Sequence, residues 1–319
     1  MKINLIDKLI APSTRQFFKQ GRSIPGYRFV DFLHGLIYAR WTYLYIRLGI
    51  GESPLVKRFS PALAWLGALL EKIIIPSETS TKQITFADTY HGKVVPLEAA
   101  RQLVTINENI ALPNLEKIIP YQLARDIILQ NPDHITVLDC PCRSARSNPC
   151  LPLDVCLIVG EPFASLVIEH HPKRSRRITS QEAQDILRQE DERHHVHHAF
   201  FKDAMLGRFY AICNCCACCC GAMQAHKNGN PMLASSGYIC RVDDNLCMAC
   251  GECTAICQFN ALSLVEMTIH IDEAKCMGCG ICVSQCSQEA LSLVLAPEKD
   301  KPLEILQLIE EMSPAILPP

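Results

Sequence analysis

The sequence has no run approaching about 18 uncharged apolar residues, the length that marks a membrane-spanning helix, so no span is expected. Its opening residues, Met-Lys-Ile-Asn-Leu-Ile-Asp-Lys-Leu-Ile, lack the unbroken apolar stretch and small-residue cleavage site of a secretory signal. A cytoplasmic location is therefore expected, and with it reduced thiols. Glycine patterns of the Rossmann or P-loop kind are missing, which argues against a nucleotide site. Basic clusters such as Pro172-Lys-Arg-Ser-Arg-Arg177 lack interleaved aromatics, so they read as surface loop and nucleic acid is not an expected partner. Glycine is sparse, at 15 of 319 residues, and hydrophobicity is ordinary, which excludes a fibrous or disordered chain.

Cysteine is abundant, with 19 residues. A disulfide framework is a poor account of them in a reducing compartment, and metal or cluster ligation is a better one. Two runs near the C-terminus carry the strongest signal. They are Cys247-Met-Ala-Cys250-Gly-Glu-Cys253-Thr-Ala-Ile-Cys257 and Cys276-Met-Gly-Cys279-Gly-Ile-Cys282-Val-Ser-Gln-Cys286. Both read C-x2-C-x2-C-x3-C, the bacterial ferredoxin spacing. They form an internal repeat: Asp243 and Asp272 each stand four positions before the first cysteine, and Ala-Leu-Ser-Leu-Val follows both runs, at 261–265 and 290–294. Cysteines separated by two residues can wrap one face of a cubane. Gly251 and Gly280 let backbone N–H groups approach the sulfurs. The fourth cysteine is expected to open a short helix and point away. Strands are expected at Tyr238–Val242, Ser263–Glu266, Thr268–Ile271 and Ser292–Leu295. The alternative is a pair of four-cysteine zinc sites.

Residues 237–296 thus resemble the bacterial two-cluster ferredoxins. That resemblance implies that each fourth cysteine serves the other cluster. One 4Fe-4S cluster would take Cys247, Cys250, Cys253 and Cys286, and the second Cys276, Cys279, Cys282 and Cys257. The chain departs from the pattern after the fourth cysteine, where Gln258 and Ser287 replace the usual proline. That change would relax the turn and tune potential. The upstream motifs Cys140-Pro-Cys142-Arg143, Cys150-Leu-Pro-Leu-Asp-Val-Cys156 and Cys213-Asn-Cys-Cys-Ala-Cys-Cys-Cys220 resemble a group of anaerobe ferredoxin-like proteins, which implies an elaborate redox protein and no particular substrate.

The expected fold class is α+β: a helical arm (1–76), a linker (77–89), a mixed α/β cysteine-rich middle (90–236), a ferredoxin-like β-α-β repeat (237–297) and a C-terminal helix or tail (298–319). The arm carries 11 Lys/Arg against 4 Asp/Glu, while the remainder is acidic. One helix is expected over 28–50 and a second over 61–75. Its aromatics, leucines and arginines suit a helix lying in a membrane interface, on the inner face, or a helix docked on a partner or on its own body.

In the middle, 90–130 reads as helical, with Pro96 and Pro120 as start signals. Ile135–Asp139 and the stretch from Cys156 read as strands. Thr179 with Glu182 forms a capping box opening a helix to about Glu192. His194 and His198 would share a helix face and could chelate a metal if that helix continued; a polar helix end is the alternative. A further site, a 4Fe-4S cluster or zinc, is expected from Cys142, Cys150, Cys156, Cys215, Cys216, Cys218 and Cys219, against the alternative of unligated or redox-active thiols. Cys240 is expected to be structural.

Three functions compete. The first is an electron-transfer protein serving redox donor and acceptor proteins. The second is an iron–sulfur oxidoreductase whose catalytic metal lies in the middle, with Arg143 and the histidines near substrate. The third is a metal or redox sensor.

Overall fold

The structure, a computed structural model, describes residues 10–52 and 86–312. The expected helix over 61–75 and positions 77–85 of the expected linker lie outside these residues, while the linker's last four positions are helical. The fold is α+β. Among the described residues, three helices belong to the arm: α1 (Pro12–Arg22), α2 (Phe29–Arg40) and α3 (Thr42–Gly49). Short α4 (Phe86–Thr89) then leads into a sheet of eight strands: β1 (Tyr90–Val94), β2 (Ile110–Leu112), β3 (Ile127–Asp139), β4 (Asp154–Glu161), β5 (Ser175–Ile178), β6 (Val196–Lys202), β7 (Arg208–Cys215) and β8 (Leu233–Ala234). Seven run in the order β2-β3-β4-β7-β6-β1-β8, and β5 joins along β3. Neighbours are antiparallel except for the parallel pair β1 and β8.

Both faces of the sheet are covered, so its central strands are buried throughout rather than alternating with polar residues. On β4, Leu157 and Val159 enter one core, while Cys156 and Ile158 enter the other. Helices α5 (Leu97–Thr105), α8 (Ser180–Glu192) and α12 (Ile305–Met312) cover the first face. The arm and α7 (Phe163–His170) cover the second, where the cysteines gather.

Several expectations are corrected. Residues 90–130 are not broadly helical. Pro96 does precede α5, but Pro120 starts no helix, and the flanks are strands. Backbone pairing of Tyr90–Val94 with β6 outweighs local propensity there. The helix expected over 28–50 breaks at Trp41 (φ −120°, ψ 36°). The Thr42 hydroxyl donates to the Tyr38 carbonyl at 2.6 Å and to that of Ala39 at 3.1 Å, a back-bonding that bends helices.

The arm packs on its own body. Tyr27 donates to the Ala204 carbonyl (3.0 Å), Tyr43 donates to the Asp139 carbonyl (2.8 Å), and the Tyr38 and Tyr210 hydroxyls meet at 2.9 Å. Gly35 permits this approach, because a Cβ there would collide with the Ala204 carbonyl and the Phe17 ring.

The C-terminal lobe follows as a repeat. Strands β9 (Tyr238–Val242) and β12 (Leu291–Leu295) pair antiparallel, as do β10 (Leu262–Val265) and β11 (Thr268–Ile271). Between them lie the one-turn helices α10 (Glu252–Ile256) and α11 (Ile281–Ser284).

Candidate metal centres

Four groups of thiols gather among the described residues. The first two are those of the C-terminal lobe. Gly251 and Gly280, at φ 78° and 86°, turn the chain into α10 and α11. These helices carry the third cysteines, Cys253 and Cys282. The fourth cysteines do not open a helix as expected; Cys257 closes α10. One cavity is lined by Cys247, Cys250 and Cys253 together with Cys286 and Cys282 of the other run. Around Cys279, the thiols of Cys282, Cys257 and Cys276 lie close enough for charge coupling.

Backbone N–H groups point at sulfur in both halves of the repeat. Cys240 N donates to Cys276 Sγ at 3.4 Å, and Ala261 N donates to Cys257 Sγ at 3.3 Å. Burial, with neighbouring thiolates adding to it, pushes the Cys253 thiol up to about 11. Burial also raises Cys279 well above an ordinary thiol. Thiolates here need a cation to replace the proton. Gly278, at φ 64°, sits against the Tyr238 carbonyl where a Cβ would collide. The tight loop, the glycine cradle and the N–H···S bonds fit an iron–sulfur cluster. Buried Cys240 belongs to the wall: the Cys282 and Cys240 sulfurs are 3.6 Å apart.

Upstream, Cys150, Cys216, Cys218 and Cys219 offer sulfurs that all lie within 4.8 Å of one another. Sulfur separations are 3.2 Å for Cys150–Cys218, 3.6 Å for Cys216–Cys150 and 3.7 Å for Cys218–Cys219. A tetrahedron of thiolates with metal–sulfur bonds of about 2.3 Å has edges of about 3.8 Å, so this knot has the dimensions of a single-ion site. Arg146 clamps its loop, donating to the Cys219 carbonyl from Nε at 3.2 Å and from Nη2 at 3.1 Å. Burial raises Cys218, but hydrogen bonds from Cys150, Cys216 and Cys219 outweigh it and bring the thiol below its ordinary value.

The other cysteines expected in that site, Cys142, Cys156 and Cys215, are not part of the knot. They line an adjoining cavity with Cys140, Cys213 and Cys220, and Cys216 and Cys219 of the knot border it as well. Strand β7 ends at Cys215, and the turn that follows re-aims the chain. Cys218 then faces the knot, Cys216 and Cys219 stand between the knot and the cavity, and Cys220, at the start of α9 (Gly221–Lys227), lines the cavity. Cys213 and Cys215 share a face because they are alternate residues of β7, whereas Cys140 caps the short helix that carries Cys142.

Arg143 borders the same cavity but is held by hydrogen bonds. Its side chain is 1 % exposed and donates to the Pro152 carbonyl (2.5 Å), Glu190 Oε2 (2.5 Å) and the Asn214 carbonyl (3.0 Å). Burial alone would raise Glu190, but His195 and Arg143 hold it below its ordinary value. The expected His194/His198 helix pair does not form. His194 sits in a turn (φ 64°) and His198 lies within β6.

Gln258, which stands where ferredoxins carry proline, accepts a hydrogen bond from Ala217 N at 2.9 Å. It ties the cysteine-rich turn to the C-terminal lobe. Ser284 makes a second tie, its hydroxyl donating to Asp191 Oδ2 at 2.7 Å.

The family model of the 4Fe-4S binding domain matches twice, at residues 241–263 and 269–292. No curated protein and no solved structure matches the chain. The C-terminal lobe is therefore a ferredoxin-like module with two 4Fe-4S binding motifs, and the chain binds iron–sulfur. Among the described residues, no helix is long and apolar enough to cross a membrane.

Proposed function

We propose that the protein is an electron carrier holding two 4Fe-4S clusters, one on Cys247, Cys250, Cys253 and Cys286 and the other on Cys276, Cys279, Cys282 and Cys257, with a single metal ion, zinc or iron, at the Cys150–Cys219 knot. The observation that carries this reading is the placement of Cys286 in the cavity of the first run. Clusters bound there supply one-electron chemistry; the chain contributes ligation, burial and N–H···S bonds, which set potential.

The two ends of the module differ. At the first run Cys250 is exposed and Met248 is 62 % exposed, which suits exchange with a donor or acceptor protein. At the second run Met277, Ile281 and Cys279 pack into the apolar cluster that contains the upstream cysteines. Voltammetry of the full chain on an electrode tests the carrier function. Reversible one-electron waves are expected, and a redox-silent protein would contradict it.

One further observation favours contact with a membrane surface. Phe29, Leu33, Ile37, Trp41, Leu44 and Leu48 are exposed along α2 and α3 at spacings of three and four, next to Arg40 and Arg47. An apolar stripe edged by arginines suits an anionic lipid interface. The full chain is expected to float with anionic liposomes, and a Trp41→Ser/Leu44→Ser variant is expected to stay behind. Failure of the unsubstituted chain to float would end this reading.

A further inference from the structure

We propose that the cavity lined by Cys140, Cys142, Cys156, Cys213, Cys215 and Cys220 is a further iron–sulfur centre, adjoining the single-ion knot, whose Cys216 and Cys219 also border the cavity, and that the ferredoxin module's electrons arrive there. Its role as an electron terminus rests on the carrier function proposed above; its existence as a site does not.

The six thiols come from four places in the fold. Cys140 and Cys142 flank the start of α6 (Pro141–Ser144), Cys156 lies on β4, Cys213 and Cys215 lie on β7, and Cys220 precedes α9. They touch in a continuous string. Cys213 meets Cys156, Cys156 meets Cys140, Cys140 meets Cys142, Cys142 meets Cys220, and Cys220 meets Cys215. Beside them lies a cavity of about 60 Å³, more than a single water needs.

Buried cysteines often act as small apolar fillers. Fillers close-pack, however, and interiors leave few voids larger than a water. Six thiols bordering one open space are not packing. Among the described residues that line the cavity there is no carboxylate and no imidazole. A metal centre here has sulfur as its ligand, which selects soft thiophilic metals and iron–sulfur clusters.

Two observations favour a cluster over a lone ion. A single tetrahedral ion takes four thiolates, and the string holds six. The neighbouring knot is drawn together to within 4.8 Å, while these sulfurs are strung out along the cavity. The remaining wall is mostly apolar and aromatic, with Phe200, Tyr38, Tyr90 and Tyr210, and its polar members include Arg143 and Asn214, so burial and the arginine's charge would together set potential. The apolar cluster that holds these thiols also contains Met277, Ile281 and Cys279, so one continuous apolar body joins the cavity to the second ferredoxin run.

The full chain is reconstituted anaerobically with ferrous iron and sulfide, and inorganic mass is read by native mass spectrometry. The unsubstituted chain, which needs no variant, is expected to carry at least about four irons beyond the two ferredoxin cubanes. Cys142→Ala/Cys156→Ala is expected to lose that excess while both ferredoxin EPR signals persist, showing a folded chain. Cys218→Ser is expected to keep the excess iron and lose the knot's metal. The proposal is overturned if no iron exceeds the ferredoxin complement or if zinc or copper fills the cavity. It is also overturned if the double variant keeps the excess, or if Cys218→Ser removes the same iron as the double variant. Intact ferredoxin signals in any of these outcomes leave the carrier function standing.

Discussion

Replacing Cys286 with alanine is expected to abolish the same EPR signal as replacing Cys250, although the two residues belong to different runs. Cys257→Ala is expected to share its phenotype with Cys279→Ala. The expectation follows from geometry. Cys286 closes the second run in sequence but lines the cavity of the first, next to Cys247, Cys250 and Cys253. Cys257 in turn lies, like Cys276 and Cys282, close enough to Cys279 for charge coupling. Loss of one thiolate leaves a cubane with an open iron, which sheds that iron or exchanges its ligand. If ligation were local to each run, Cys286→Ala would instead copy Cys276→Ala. Paired spectra of the four variants after dithionite reduction distinguish the two cases.

Arg143→Met is expected to be the most damaging single change outside the clusters. The guanidinium is buried where four segments meet: the Pro152 loop, α8 through Glu190, the end of β7 through the Asn214 carbonyl, and its own short helix. Removing it leaves Glu190, itself 1 % exposed, with only His195 and Arg193 as nearby partners. Breaking one side of a buried pair costs about 3–5 kcal/mol. In a chain of this length that lowers Tm on the order of 10 °C. An Arg143→Met/Glu190→Leu double variant is expected to recover part of the loss, because it no longer buries an uncompensated carboxylate. A melting temperature within a degree or two of the unsubstituted protein would show that Arg143 is not a structural post.

The ferredoxin module was legible because its chemistry is local. Four cysteines at fixed spacing, repeated with the same flanking residues, specify loop, helix and strand over a few dozen positions. Thr179 and Glu182 were legible for the same reason: the cap is made within one turn, with Glu182 N donating to Thr179 Oγ1 at 3.1 Å. The segment 90–130 was not, because β1 exists through pairing with β6, roughly a hundred positions away in sequence.

The upstream cysteines were half legible. Their number announced metal chemistry, and Cys150 with Cys216, Cys218 and Cys219 does form one group. Which thiol faces which site depends on where β7 ends, and no local pattern marks the turn after Cys215. Gln258 shows the converse. Its departure from proline suggested a loosened turn, and in the fold it is a tie to Ala217. The arm's aromatics were ambiguous because one helix does both things: Phe32 and Tyr38 are buried on the body while Phe29 and Trp41 face outward.

The most direct test of the central claim is an anaerobic reductive titration of the full chain followed by EPR, with iron, sulfide and zinc measured on the same sample. Two one-electron signals that interact magnetically, on a protein with at least about eight irons and matching sulfide, are the expected result. Zinc in place of iron in the C-terminal lobe, or a protein that stays EPR-silent through full reduction, would contradict it.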